Sequence, residues 1–210
     1  MNLRTGFLCL FMLAGLLAGE QRFNGGILLG GNVSQVDGDT WSGYYKVGFQ
    51  AGGLVSLRIS PRSSFQMEME YFQKGSRKNA DTEKEDYTSY LLRLHYLEIP
   101  VLYQYTFARR FFAEIGPAVD VLLGSTERVN DFDVPDPVPL RTLNVSGVIG
   151  FGGCITRHLK ADIRFSYSLY SIRNGTANGY RKMLFEYGQY NNVLALTFYW
   201  EFKPNKNLDR

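Results

Sequence analysis

The sequence predicts an all-β fold: an eight-stranded antiparallel up-and-down transmembrane β-barrel. Three observations carry that expectation. Apolar and polar residues alternate over eight separate stretches, the period of a strand with one greasy and one polar face. The connections alternate between long polar segments and tight turns, the pattern of outer-membrane barrels with their short periplasmic turns and longer external loops. Aromatic residues make up 15% of the 210 residues and glycines number 22, which suits a tightly curved sheet with aromatic girdles.

Residues 1–19 read as a secretory signal peptide. Arg4 supplies the basic start, Gly6 to Ala18 the apolar core, and Ala18 and Gly19 the small residues of a cleavage region before Glu20. The apolar core is too short for a spanning helix. Residues 20–210 then form one outer-membrane β-barrel domain. Loss of the signal takes Cys9 with it and leaves Cys154 alone, which excludes an intramolecular disulfide and a cysteine-based metal site. No long uncharged apolar run follows, and an exported chain without such helices spans a membrane only as a closed barrel. The net charge of +3, with lysines and arginines scattered, argues against a nucleic-acid partner.

The first strand is Phe23 to Val36, with Phe23, Ile27, Leu29 and Val33 on one parity and glycines that bend it; Asp37, Gly38 and Asp39 mark a loop. The second, Tyr45 to Ile59, sets Tyr45, Val47, Phe49, Val55 and Leu57 against Lys46, Gln50, Ser56 and Arg58, and ends in the tight turn Ser60-Pro61-Arg62. The third, Ser64 to Lys74, alternates Phe65, Met67, Met69 and Tyr71 with Gln66, Glu68, Glu70 and Phe72, and Gly75 to Asp86 is a strandless loop. The fourth, from about Tyr87 to Tyr105, shifts parity midway: Tyr90, Leu92, Leu94 and Tyr96 are greasy, then Leu97, Ile99, Val101, Tyr103 and Tyr105. Such a shift predicts a β-bulge, and Pro100 fits a broken ladder there. Thr106 to Arg110 turns tightly into the fifth strand, Phe111 to Leu123. Gly124 to Arg141 is the longest loop, with Pro135, Pro137 and Pro139 blocking regular pairing. The sixth strand is Leu143 to Ile155 and the seventh Leu159 to Tyr170, joined by a turn at Thr156 to His158. A loop from Arg173 to Tyr190 precedes the last strand, Asn192 to Phe202, whose greasy face ends in Trp200 and Phe202. These two are expected at the periplasmic rim, in an aromatic girdle. The last strand must pair with the first to remove both sheet edges.

If the greasy parity faces lipid, the other parity fills the lumen. It carries Lys46, Arg58, Arg93, Lys160 and Arg164 with Glu68, Glu70, Glu98, Glu114, Asp120, Asp162 and Glu201. An eight-stranded barrel has an interior just wide enough for side chains. An unpaired ion there costs several kcal/mol, so a lumen filled by paired charges is expected rather than an open pore. Pattern alone does not fix which parity faces out. A soluble lipocalin-like ligand-binding barrel would turn the greasy face inward; the loop alternation and the aromatic strand ends favour the membrane barrel.

Catalytic and metal sites find little support. His95 and His158 lie far apart in the chain, and neither has a serine or cysteine partner at a recognisable spacing. A lipid-modifying enzyme built on His95 or Glu98 is the enzymatic alternative. Asp37, Gly38 and Asp39 lack the full calcium-loop pattern. Asp131, Asp133 and Asp136 read as a solvated loop rather than a divalent-cation site. No cofactor is expected.

Several segments resemble the PorT-like outer-membrane β-barrel family of Bacteroidetes-type bacteria: Asn24-Gly25-Gly26, Val33 to Asp39 leading to Gly43-Tyr44, Lys46-Val47-Gly48-Phe49, Glu70-Tyr71 before Gln73 to Ser76, Tyr96-Leu97-Glu98-Ile99-Pro100 and Gly116-Pro117. The resemblance covers essentially all of residues 20–210. It implies an outer-membrane barrel of eight strands, inserted by the barrel-assembly machinery and without enzyme activity. Some relatives of this kind belong to the type IX protein secretion machinery. The expected function is a small barrel with a structural or surface-interaction role, in contact with outer-membrane lipid and lipopolysaccharide. An accessory role in type IX secretion, with a secretion-machinery partner, is the alternative.

Overall fold

The computed structural model describes residues 22–41, 43–81, 83, 85–107, 110–135, 137–174, 181–182 and 186–202. The expected signal peptide and the tail from residue 203 lie outside the described residues.

In chain order the strands are β1 (Arg22–Asp37), β2 (Lys46–Arg58), β3 (Ser63–Lys78), β4 (Tyr90–Thr106), β5 (Phe111–Val129), β6 (Phe132–Asp133), β7 (Leu143–Cys154), β8 (Leu159–Ser168), β9 (Arg173–Asn174), β10 (Arg181–Lys182) and β11 (Tyr187–Glu201). The eight long strands run antiparallel as β1-β2-β3-β4-β5-β7-β8-β11, and β11 pairs back onto β1 from Asp37↔Tyr190 to Gly26↔Glu201. The ring is therefore closed and has no free edge. The three two-residue strands lie in the long connections, β6 against β5, and β9 and β10 against β11.

The register fixes the barrel's shape. Starting at Val33 and stepping sideways through paired residues gives Leu194, Phe165, Ile149, Ile115, Tyr103, Phe65, Leu57 and then Phe23, ten residues from the start on the same strand. A stagger of ten over eight strands, with a rise of about 3.3 Å per residue and strands about 4.8 Å apart, tilts the strands by about 40°. That is the tilt of outer-membrane barrels. The connections that follow β2, β4 and β7 are short and lie at one end; those that follow β1, β3, β5 and β8 are long and lie at the other.

The greasy parity faces outward. Leu29 is 63% exposed, Ile115 59% and Ile163 57%, whereas the inward Glu68, Glu70 and Asp120 are 1%, 1% and 0% exposed. This is the reverse of the lipocalin-like arrangement.

Strand four departs from expectation. Tyr90, Leu92, Leu94 and Tyr96 share the inward parity with Glu98, Leu102 and Gln104, so β4 keeps one parity throughout. The register shift is real but lies on the partner: His95 pairs with Gly124 and Tyr96 with Leu122, leaving Leu123 of β5 as the extra residue. The apparent parity change arises because the inward face of β4 turns from apolar (Tyr90, Leu92, Leu94, Tyr96) to polar (Glu98) while the outward face turns from His95 and Arg93 to Leu97, Ile99 and Val101. Pro100 does interrupt a ladder: Glu70↔Glu98 and Met67↔Val101 flank it on β3 without pairs between them, as a residue with no N–H requires. The strands also outrun the expected loops, β3 continuing to Lys78 and β5 to Val129.

Candidate functional site

The inward parity builds a column of side chains along the barrel axis. At the short-turn end Leu28, Leu54 and Tyr199 pack together. Beside them Lys160 pairs with Glu201 at 2.5 Å, and the Tyr199 hydroxyl donates to Asp162 at 2.7 Å.

Arg164 of β8 occupies the next level. Its two terminal nitrogens donate to both oxygens of Glu68, each at 2.7 Å. Its Nε donates to Glu114 at 2.5 Å and to Asp162 at 3.1 Å. In the eight-strand ring β8 and β3 stand four places apart, so the Arg164–Glu68 pair crosses the full diameter of the lumen. Gly150 lies between Arg164 and Glu114 in the register. A Cβ there would stand 2.7 Å from Glu114 Oε1 and 3.2 Å from Arg164 Cγ, so the bare glycine leaves the space in which they meet. Gln66 also donates to Glu68 Oε1, at 2.5 Å, and Gln104 donates to the other oxygen of Glu114, Oε2, at 2.8 Å.

Higher in the column Glu70, Glu98 and Asp120 lie side by side on β3, β4 and β5. Like charges directly opposed across strands are destabilising. Lys74 offsets two of them, at 2.5 Å from Glu98 and 2.9 Å from Asp120, with its ammonium 4.8 Å from the Phe72 ring centroid. Ser146 donates to the other oxygen of Asp120 at 2.5 Å. Both oxygens of buried Glu70 are without a hydrogen-bond partner.

The long-loop end is closed by apolar side chains. Val36, Tyr90, Leu92, Leu94, Tyr96 and Ile172 form one buried cluster, with Trp41, Leu122 and Leu140 against it. Arg173 grips Glu127 at 2.5 and 3.1 Å beside it, and the Tyr90 hydroxyl donates to the same carboxylate at 2.8 Å. In the loop above, Asp39 accepts from the Trp41 backbone N–H at 2.9 Å. Burial pushes the Asp39 carboxyl up to about 6, against hydrogen bonds from Ser76 and Trp41 that pull it down.

Of the residues expected in the lumen, Glu68, Glu70, Glu98, Glu114, Asp120, Asp162, Arg164 and Glu201 are buried there, and Arg58 is half-buried on the inward parity near the short-turn end. One expectation is corrected. Arg93 points outward, because β4 keeps its even-numbered residues inside. Lys46 is buried on the inward parity, and its ammonium donates to Val47 O at 2.7 Å and to Gln73 of the outward parity at 3.1 Å. It does so at the rim, above the last β2–β3 pair, Gln50↔Phe72. Sequence reasoning missed Lys74. Counting by twos from Glu68 and Glu70 reaches it as the last residue of the expected third strand, Ser64 to Lys74.

Trp200 and Phe202 are exposed at the short-turn rim, with Trp200 stacked on His158 at 5.4 Å. His95 lies on the outer wall, its Nδ1 bonded to the Tyr71 hydroxyl at 2.5 Å. Among the described residues no cluster of three or more His, Cys, Asp or Glu is arranged to hold a metal. Asp133 pairs with Arg128 at 2.7 Å, and Asp136 lies outside the described residues.

The family described as "Outer membrane protein beta-barrel domain" matches residues 17–174. Among solved structures, Neisserial surface protein A aligns with a TM-score of 0.55 at 11% identity, covering 85% of this chain and 97% of that one. Ail, the attachment invasion locus protein of Yersinia pestis, aligns with a TM-score of 0.45 at 10% identity, covering 85% and 98%. OprG of Pseudomonas aeruginosa gives 0.38 at 12% identity, covering 86% and 94%. No curated protein sequence matches the chain significantly.

Proposed function

The chain belongs to the outer membrane protein beta-barrel domain family, and from that premise we propose that it is a non-conducting barrel with a structural or surface-interaction role. The observation that carries this reading is the Arg164–Glu68 pair, two hydrogen bonds of 2.7 Å laid across the lumen diameter. A second contact across the diameter lies above it, from Asn191 of β11 to the Tyr96 hydroxyl of β4 at 3.5 Å. The apolar cluster of Val36, Leu92 and Leu94 then closes the outer mouth. A column blocked at three levels serves as a rigid stem, and the long connections are the part free to meet partners. Export through a cleaved signal at residues 1–19 and insertion by the barrel-assembly machinery belong to the same proposal.

Planar-bilayer recording of the refolded full chain tests it. No stepwise conductance is expected from the native protein; steady openings comparable to a porin's would refute the reading. No described residue favours an accessory role in type IX secretion over the surface-barrel reading. Normal export of type IX cargo in a deletion strain would remove that alternative.

A further inference from the structure

The outer wall carries one feature that a stem alone does not need. Lys46, Arg77, Lys78, Arg93 and Arg128 line a single cavity of about 350 Å³ at the long-loop rim of the wall, on β2, β3, β4 and β5. Asp131 is the one carboxylate among its described lining residues. Two of the cations are already paired, Lys78 with Asp86 at 2.5 Å and Arg128 with Asp133 at 2.7 Å. The other three are not neutralised by any described carboxylate. Lys46 is held by Gln73 and a carbonyl, and Arg77 donates to Asn79 at 2.8 Å. Arg93 is exposed, and both guanidiniums lie within electrostatic reach of the Lys46 ammonium. Bringing three unneutralised cations together is unfavourable unless an anion joins them.

Their height fixes which anion. Tyr103 pairs with Phe65 near the short-turn end, their rings 5.5 Å apart. Arg93 is ten residues further along β4. At about 3.3 Å per residue and a tilt of about 40°, that separation is about 25 Å along the axis, the height of the apolar band of an outer-membrane barrel. Just below the cations the wall is aromatic, with Phe49 on Tyr71 at 5.2 Å and Tyr71 bonded to His95, as expected at an interface. The cations therefore stand at the headgroup level on the long-loop side. Gly75 opposes Arg93 across the β3–β4 ladder and covers none of it. Two guanidiniums and an ammonium suit a phosphate, which arginine binds through paired N–H groups.

We propose that this cavity binds the phosphorylated headgroup of an outer-leaflet glycolipid, the phosphate held by Lys46, Arg77 and Arg93. The site rests on the outer-membrane reading of the barrel. The test uses the full chain purified in a non-ionic detergent, with native mass spectrometry and thermophoresis as readouts. The probes are diphosphoryl lipid A, the same lipid enzymatically dephosphorylated, and inorganic phosphate. Tight binding of the phosphorylated lipid alone is expected. Binding should fall at least tenfold in Arg77→Gln/Arg93→Gln and in Lys46→Gln, and remain unchanged in Arg62→Gln on a short turn. Equal binding of the dephosphorylated lipid, equal competition by inorganic phosphate, or unchanged binding by the variants would each overturn the site. Heat-modifiable migration of each variant on cold gels shows that it is folded. Cell fractionation reports separately on the membrane reading: protein in the outer membrane without phosphate-dependent binding overturns the site and leaves the barrel standing.

Discussion

Replacing Arg164 by methionine is the sharpest test of the column. The substitution keeps an unbranched side chain and removes the charge. Arg164 makes four hydrogen bonds to three buried carboxylates, two to Glu68 and one each to Glu114 and Asp162. Breaking a buried ion pair by removing one partner costs about 3–5 kcal/mol, since the other charge is left uncompensated. Here one cation serves three carboxylates, and the variant belongs at the upper end, about 5 kcal/mol. With a urea slope of about 2 kcal/mol/M, the unfolding midpoint in detergent micelles should fall by about 2.5 M. The midpoint is read from the heat-modifiable band and from tryptophan emission. Adding Glu68→Gln to the variant should recover part of the loss, because one stranded charge is removed and the two positions are coupled. A midpoint within about 0.5 M of the native protein, a shift worth about 1 kcal/mol at that slope, would refute the claim that this cross-brace holds the barrel.

Gly150→Val should also be strongly destabilising, since its Cβ would stand 2.7 Å from Glu114 Oε1, whereas Gly147→Ala, with its nearest neighbour at 3.6 Å, should leave the urea midpoint almost unchanged. The raised Asp39 carboxyl makes the loop over the outer mouth pH-sensitive: its contribution is fully present below the ordinary value of 3.8 and lost as pH rises through about 6. In a Trp200→Phe background the emission of Trp41 should titrate near that pH, and Asp39→Asn should abolish the transition; a midpoint below about 4.5, close to a free aspartate, would contradict it. Truncation from Leu194 removes the residues that pair with β1 from Val33 to Gly26 and should abolish membrane insertion; a stably inserted truncated chain would contradict the closure.

Fold and parity were legible because both depend on a period of two, which a single sequence displays. Val193 to Glu201 alternates so regularly that its two faces are assigned without a neighbour. Strand four was misread where the period is hidden: Leu91, Leu92 and Leu94 place apolar residues on both faces, and only the register with β5 shows Leu123 as the extra residue. The same error turned Arg93 inward on paper. Lys74 was missed for a related reason. It is the last residue of the expected third strand, and the polar run after it hides that β3 continues to Lys78. What no single strand carries is which charge meets which. Arg164 and Glu68 are 96 residues apart in the chain, and their meeting depends on ring closure and on the ten-residue stagger.

The order of charges within the column follows from that stagger. Glu70, Glu98 and Asp120 fall on adjacent strands at one level, so an acidic row is imposed by register rather than by any local pattern. Its cation, Lys74, comes from four residues further along β3 and braces β3 to β4 and β5. Arg164 at the level below braces β8 to β3 and β5. Together the two cations tie β3, β4, β5 and β8 through side chains, in addition to the backbone ladders. A pore needs those side chains to lie back against the wall. Here each cation is held by carboxylates from more than one strand, so clearing the lumen requires breaking several charge-assisted hydrogen bonds at once. At about 1.5–3 kcal/mol each, the four made by Arg164 alone oppose opening by an amount comparable with the whole stability of a typical domain. On the function proposed above, the filled state is the resting state of the barrel, and movement belongs to the connections at its outer rim.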